Sequence, residues 1–467
     1  MISELSRKLS MRLIRSVGSL PCVFPIPPCL AGVILVVAVA NNAESANDRE
    51  QPPAPVASSF DFFAMTQHSQ VPLDESWYDR CFANCKRYNL RRVYWRVALG
   101  RAYYRSRIMA RVSVERNKER RIVEFAKILD GDGPEPLELA IKFAHRHGVE
   151  LIAWFPFNET HYYRTNVRYL VDPWYSERQH LFWCDRDGRR VWMGMPCIAE
   201  PEVVARTASI IEELCAYGVD GIYLPARTHC YRPYTPDDEP YDVQVDQFGF
   251  NEPVRRRYQQ RFGVDIRHEE FDIDAWQRMK GEFYTEFLTA CADAAHRHGK
   301  LFLPGTSTTR LGFIPNLTNR PEGMALRIYN DWTAWHQQAK VDGIVAIQDR
   351  LRLPRGTQQV LPHKVFENAC DVSEVVQDVP GCSVSLFYPV LAFRPAEGKS
   401  WSMKDRLLIP PDILKFRLGL NQQQGATELI LHEGYMALFL DTRGEDPGIG
   451  PGPNMNYWEA VGQFNLK

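Results

Sequence analysis

The chain has 467 residues, of which 45% are hydrophobic, 24% charged and 12% aromatic; 56 Lys+Arg against 57 Asp+Glu leave a formal charge of −1. A balance this close to zero excludes the basic footprint of a nucleic-acid binder, and the apolar and aromatic content excludes disorder for most of the chain. The length allows a large buried core in one big domain or in two or three small ones.

At the amino end, Lys8, Arg12 and Arg15 precede a Pro-rich stretch and an apolar run from Cys29 to Ala40. Crossing a ~30 Å hydrocarbon layer takes about 20 helical residues, so this run is too short. A basic leader, a short apolar core and Ala38-Val39-Ala40 read as a signal peptide over residues 1–40, with an uncleaved anchor as the competing reading. Residues 41–59, rich in Pro, Ala and Ser, read as a flexible linker, and residues 60–467 as the folded domain. The expectation is an exported protein, secreted or kept in the periplasm or cell envelope, with no membrane span in its mature part. Cys22 and Cys29 leave with the leader, so nine of the eleven cysteines remain and at least one has no partner within the chain. Cys184 and Cys197 flank a turn-like stretch and are the best placed for a disulfide. Cys81 and Cys85 sit one helical turn apart with no further Cys or His nearby, and neither CxxC…CxxC nor HExxH occurs. No metal and no cofactor is expected.

From residue 60 onward a junction repeats: an amphipathic helix, a Gly turn, then an apolar strand. It occurs in AIKFAHRHGVELIAWFPF (140–157), IIEELCAYGVDGIYLPA (210–226), ACADAAHRHGKLFLPGT (290–306) and WHQQAKVDGIVAIQD (335–349). The His residues of the two AHRHG copies fall in last helical turns, by the negative end of the helix dipole, where a structural role suffices. Strands are expected at 60–65, 91–98, 149–157, 219–226, 300–306, 341–349, 381–390 and 427–433. Helices are expected near 75–89, 134–147, 200–217, 274–298, 331–339 and 405–423. Eight strands alternating with helices imply parallel connections, and eight is the number that closes a (β/α)8 TIM barrel, here with long βα-loop insertions, the largest at 227–273. A doubly wound open sheet is the alternative, but no Gly-rich phosphate loop follows any strand.

In such a barrel, chemistry gathers at the C-terminal strand ends. Those ends are rich in aromatics, arginines and carboxylates, the set that stacks on and hydrogen-bonds sugar rings. Glycoside hydrolysis takes two carboxyl groups, ~5 Å apart for retention and roughly 6.5–9.5 Å for inversion, one of them protonated. Asp349 and Glu433 form the candidate catalytic pair, with Glu159 as substitute partner. Alternation forbids Asn158 and Glu159, or His432 and Glu433, from both facing the axis of a continuing strand. Trp95, Tyr103, Trp154 and Tyr388 are candidates to stack on sugar, and Arg96, Arg227 and His229 to bind hydroxyls or an acidic group. Glu252 follows Asn251, which looks like a helix N-cap with Pro253 in the first turn, and so reads as a helix start. Arginines and lysines crowd residues 101–121, where a solvated loop face accounts for them. Asn158-Glu159-Thr160 and Asn316-Leu317-Thr318 match the glycosylation sequon.

DGIYLPARTH (220–229), FGFNEPVRRRYQQRFGVDIR (248–267) and DAWQRMKGEFYTEFL (274–288) resemble the family-10-like glycosyl hydrolases of bacterial envelopes. The resemblance spans roughly residues 60–435 and implies a carbohydrate-active (β/α)8 barrel. Related barrels commonly place an acid near the end of strand four, where this chain has Pro225-Ala226-Arg227, and GCSVSLFYPV (381–390) carries no carboxylate. The expected activity is therefore a glycoside hydrolase acting on a poly- or oligosaccharide, or else a barrel that binds carbohydrate without cleaving it. A non-glycosidic hydrolase is a third possibility, against which the chain shows no GxSxG elbow.

Overall fold

The computed structural model describes residues 55–63, 65, 74–112, 120–160, 170–226, 228, 230, 242–313, 324–347, 372–389, 391–393, 406–408 and 411–432. Eight parallel strands close into a barrel, confirming the expected fold class. They are β1 (Val56–Asp61), β2 (Arg92–Arg96), β3 (Glu150–Trp154), β4 (Gly221–Leu224), β5 (Leu301–Thr306), β6 (Gly343–Ile347), β7 (Ser383–Pro389) and β8 (Glu428–His432). Each pairs with the next in sequence, and β8 returns to β1 through Leu429↔Val56 and Leu431↔Ser58. The helices between them are α1 (Glu75–Arg87), α2 (Arg120–Asp130), α3 (Pro136–Arg146), α4 (Pro201–Ala216), α5 (Glu252–Phe262), α6 (Ile273–His296), α7 (Trp332–Gln337), α8 (Ser373–Asp378) and α9 (Pro411–Gln423). Among the described residues no helix is long and apolar enough to cross a membrane.

Local sequence accounts for these boundaries. Asp74 caps α1 by accepting the Trp77 N–H at 3.0 Å, and Trp77, Tyr78, Cys81, Phe82 and Cys85 form its buried face. Glu135 caps α3 ahead of Pro136, and Gly148 (φ +73°) ends that helix in the left-handed region. The AHRHG copies play one structural part twice. His145 Nε2 lies 2.9 Å from Asp220, which also accepts the Leu151 N–H; His296 Nε2 lies 2.9 Å from Asp342, which accepts the Phe302 N–H. In each copy the histidine ties a helix end to an Asp just ahead of the strand that neighbours the one the helix leads into.

Three expectations need correction. The first strand is Val56–Asp61, not 60–65, so part of the stretch read as linker is barrel wall. Ser58 and Ser59 look like linker residues, but both are buried and bonded across to β8. Residues 406–408, expected to be helical, form an antiparallel ladder with Leu391–Phe393, and α9 starts at Pro411. Cys184 and Cys197 are separate, buried thiols. Their hairpin carries a register shift that sets Cys184 opposite Val191, while Cys197 follows Pro196, the partner of Phe182, so the two cysteines do not face each other.

Strand alternation divides the core. Ala57, Tyr94, Ile152, Trp154, Tyr223, Leu303, Val345, Phe387 and Ile430 fill the barrel interior. Residues one position away, such as Phe60, Trp95 and Tyr388, pack in the larger layer between sheet and helices.

Candidate active site

Parallel strands bring their last residues to one mouth. The inward face of β1 runs Ala57, Ser59, Asp61; that of β2 runs Arg92, Tyr94, Arg96; β3 ends inward on Trp154 and β8 on His432. Arg96 is the centre of this mouth. Its Nε donates to the Ala98 carbonyl (3.1 Å), its Nη1 to Asp61 Oδ2 (2.8 Å), and its Nη2 to Glu159 Oε2. Asp61 keeps 15% of its side chain exposed and Glu159 only 2%, so Asp61 is the carboxylate nearer solvent. Burial acts to lower the Arg96 pKa, but Glu159 and Asp61 outweigh it and keep the guanidinium above its ordinary value.

The guanidinium also lies over the Trp154 ring, 5.0 Å from its centroid. Trp154 meets Phe387 and His432 edge-on at 5.6 and 5.7 Å, and Phe387 packs on His432 at 4.8 Å. Ser59 Oγ, 3.0 Å from His432 Nδ1, fixes that ring. Glu159 is set by its neighbours: Asn158 Nδ2 donates to the Ala226 carbonyl at 2.6 Å, and Thr228 Oγ1 donates to the Asn158 carbonyl at 2.6 Å. These bonds stitch the loop after β3 to the loop after β4. Asn158 is fully buried by them, which removes the first sequon as a glycan acceptor; Asn316 lies outside the described residues. Behind Glu159 a small cavity reaches Thr160 and Asp172. Burial raises the Asp172 pKa while Arg206, 3.0 Å away, opposes it.

Both carboxylates bond the terminal nitrogens of one guanidinium, so their oxygens lie within roughly 8 Å of each other, inside the span of two-carboxylate glycosidase sites. Two carboxylates held this close at a barrel mouth are the kind of pair that acid–base or nucleophilic chemistry draws on.

Of the residues singled out from sequence, the structure brings Arg96, Trp154 and Glu159 together. It does not bring Trp95, which faces the helices, stacks on Phe62 at 5.3 Å and is 2% exposed. Tyr103 stacks on Phe63 at 5.5 Å and lies near enough to Arg96 to act on its charge, while Tyr388 lies in the sheet–helix layer. The inward aromatic of β7 is Phe387, one residue from the one chosen. Arg96 binds carboxylates of its own chain rather than standing open to an acidic sugar. Asp349, Glu433, Arg227 and His229 lie outside the described residues. Glu252 opens α5, with Asn251 as its N-cap residue, as its helix-start pattern requires. Asp61 was missed because the first strand was placed too late in the chain; the true register makes it a strand-end residue. Among the described residues no three of His, Cys, Asp and Glu gather as a metal site.

No family model and no curated protein matches the chain. Among solved structures, it is similar to a beta-galactosidase from the psychrophilic Marinomonas ef1, at 11% identity over 88% of this chain and 59% of that one, with a TM-score of 0.48. The chain thus spans 59% of the length of that protein. It is also similar to the catalytic domain of a beta-amylase from Paenibacillus polymyxa (11% identity, 89% and 98% covered, TM-score 0.46). A class V chitinase from Pseudomonas fluorescens is a third (12% identity, 89% and 100% covered, TM-score 0.41). These similar structures are glycoside hydrolases.

Proposed function

We propose that this chain is an exported glycoside hydrolase of the two-carboxylate type, resembling the family-10-like enzymes, with residues 1–40 as its signal peptide and the barrel as its working domain. One observation carries the reading: two carboxylates, Asp61 and Glu159, share the Arg96 guanidinium beside Trp154 at the C-terminal mouth of a closed barrel. Trp154 supplies an aromatic surface beside those charges, the pairing that carbohydrate sites use. Glu433, next in sequence to the mouth residue His432, is the first choice for the proton donor, and Asp349, two residues beyond β6, the second. Arg227 and His229, just after β4, are assigned to ligand hydroxyls.

Reducing-end release by the purified chain across neutral and acidic polysaccharides tests this, with Glu433→Gln, Asp349→Asn, Glu159→Gln and Asp61→Asn in parallel. Release that falls by about 10³-fold or more in one donor variant and one of the Asp61/Glu159 variants supports the reading. Release that survives all four would leave an enzyme with a different site. A second reading, a barrel that binds carbohydrate without cleaving it, is favoured by one feature: β4 carries no carboxylate. Retention on immobilised polysaccharide without release would select it.

A further inference from the structure

Lys280 carries an amine buried without a hydrogen-bond partner. It lies in the second turn of α6 and is fully buried. The segment Asp246–Phe250, from the insertion after β4, covers it. The amine stands 3.3 Å from the centroid of the Trp276 ring. Gly249 (φ +121°) passes so close that a Cβ there would meet Lys280 Cδ and the Trp276 ring at 2.8 Å, and Nζ at 3.2 Å. The covering segment is pinned on several sides. Trp276 Nε1 donates to the Gly249 carbonyl at 3.1 Å, and the Gly249 and Phe250 N–H groups donate to the Cys184 carbonyl at 3.0 and 3.2 Å. Asp246 accepts from Arg327 and, at 3.0 Å, from Gln277 Nε2.

We propose that Asp246–Phe250 is a clamp over Lys280 that closes on the neutral amine, so that closing releases a proton to solvent and rising pH tightens the insertion that follows β4. The physical reason is the lack of acceptors. An ammonium has three donors to satisfy, and this one meets an indole face and a glycine Cα; the cation–π contact recovers part of what is lost with its water shell. Burial accordingly pushes the amine down to about 7 from its ordinary 10.5, and three facing groups bear on it: Asp246 on the clamp works upward, Arg327 downward, and Cys197 upward. When the clamp opens, the amine meets water and its pKa returns toward 10.5. Between those two values the open form carries the extra proton, so opening becomes about tenfold rarer per pH unit; below about 7 both forms are protonated and the equilibrium is flat. The clamp does not depend on what the mouth binds.

Hydrogen exchange of the Gly249 and Phe250 amides in the full chain, corrected for the intrinsic pH dependence, tests it between pH 6 and 9. The expected opening constant is level from pH 6 to 7 and falls about 100-fold from pH 7 to 9. In Lys280→Met the slope vanishes and the amides are at least tenfold better protected at pH 6 than in the wild type. A level wild-type profile, or the same slope in Lys280→Met, overturns the proposal. Should Lys280→Met fail to fold, Asp246→Asn serves instead: losing the carboxylate that works upward moves the bend of the profile to lower pH, and an unmoved bend overturns the proposal.

Discussion

Strand β2 carries the same device at each of its ends. Arg92, at its start, lies between Glu150 (2.6 Å) and Glu428 (3.1 Å); Arg96, at its finish, lies between Asp61 and Glu159. At the N-terminal end of the barrel the buried partner is fully provided for. Glu428 accepts from the Tyr94 hydroxyl at 2.5 Å and from Ser385 Oγ at 3.1 Å, and the outer partner, Glu150, is half exposed to water. At the mouth, Arg96 and Glu159 are almost wholly enclosed, and the neighbours are the rings of Trp154 and His432. One arginine between two carboxylates is therefore a plug for the barrel floor in one place and a charged platform under the mouth in the other. The difference lies in what surrounds it, which agrees with the general division of barrels into a stabilising face and a working face.

Removing each arginine breaks the comparison most sharply. Arg96→Met leaves Glu159 and Asp61 with no cation between them, and a broken buried ion pair costs about 3–5 kcal/mol; denaturant unfolding should show that loss, together with loss of any polysaccharide cleavage. Arg92→Met should cost less, about 2 kcal/mol, because Glu428 keeps two hydroxyl donors and Glu150 has water. Cleavage should be unchanged in that variant. Equal losses of stability and activity from both would mean that the two ends are not functionally distinct.

A pH series sharpens the description of the floor. Burial raises the Glu428 pKa above its ordinary 4.5, with Arg92, Tyr94 and Ser385 opposing. The folded state then holds the extra proton between 4.5 and the raised value, so this group's contribution to stability grows on acidification through that window and shrinks as pH rises through it. The stability difference between wild type and Glu428→Gln, followed by unfolding from pH 7 to 4.5, should shift toward the wild type on acidification. A shift the other way would show that Arg92 and the hydroxyls dominate over burial.

How much of this was legible in the chain follows from the physics of strands. The barrel was, because AHRHG and VDGI recur at helix–strand junctions and the strands between are apolar. The mouth was legible in its zone but not side chain by side chain. Arg96 is legible but so is its outward neighbour Trp95, and Tyr388 stands one residue away from the inward-facing Phe387; a one-residue shift in a strand exchanges the two faces. Asp61 was hidden for a related reason: Ser58 and Ser59 look like linker residues until the β8 partners that bury them are in place. Lys280 has only Trp276, one turn earlier, as a local neighbour, and the rest of its environment is built by Gly249, Cys197 and Arg327 from distant parts of the chain.

The smallest perturbation bears on which side of the mouth does the chemistry. Ser59→Ala removes the hydroxyl 3.0 Å from His432 Nδ1, a loss of about 1 kcal/mol for one buried hydrogen bond. The histidine is freed to turn, and it is the residue before Glu433. If Glu433 delivers the proton, kcat should fall several-fold in Ser59→Ala while KM stays near its wild-type value, because a loosened strand end misplaces the donor without weakening ligand binding. An unchanged kcat, set beside a dead Arg96→Met, would place the decisive groups on the β1–β3 side of the barrel and pass the donor role to a residue away from β8.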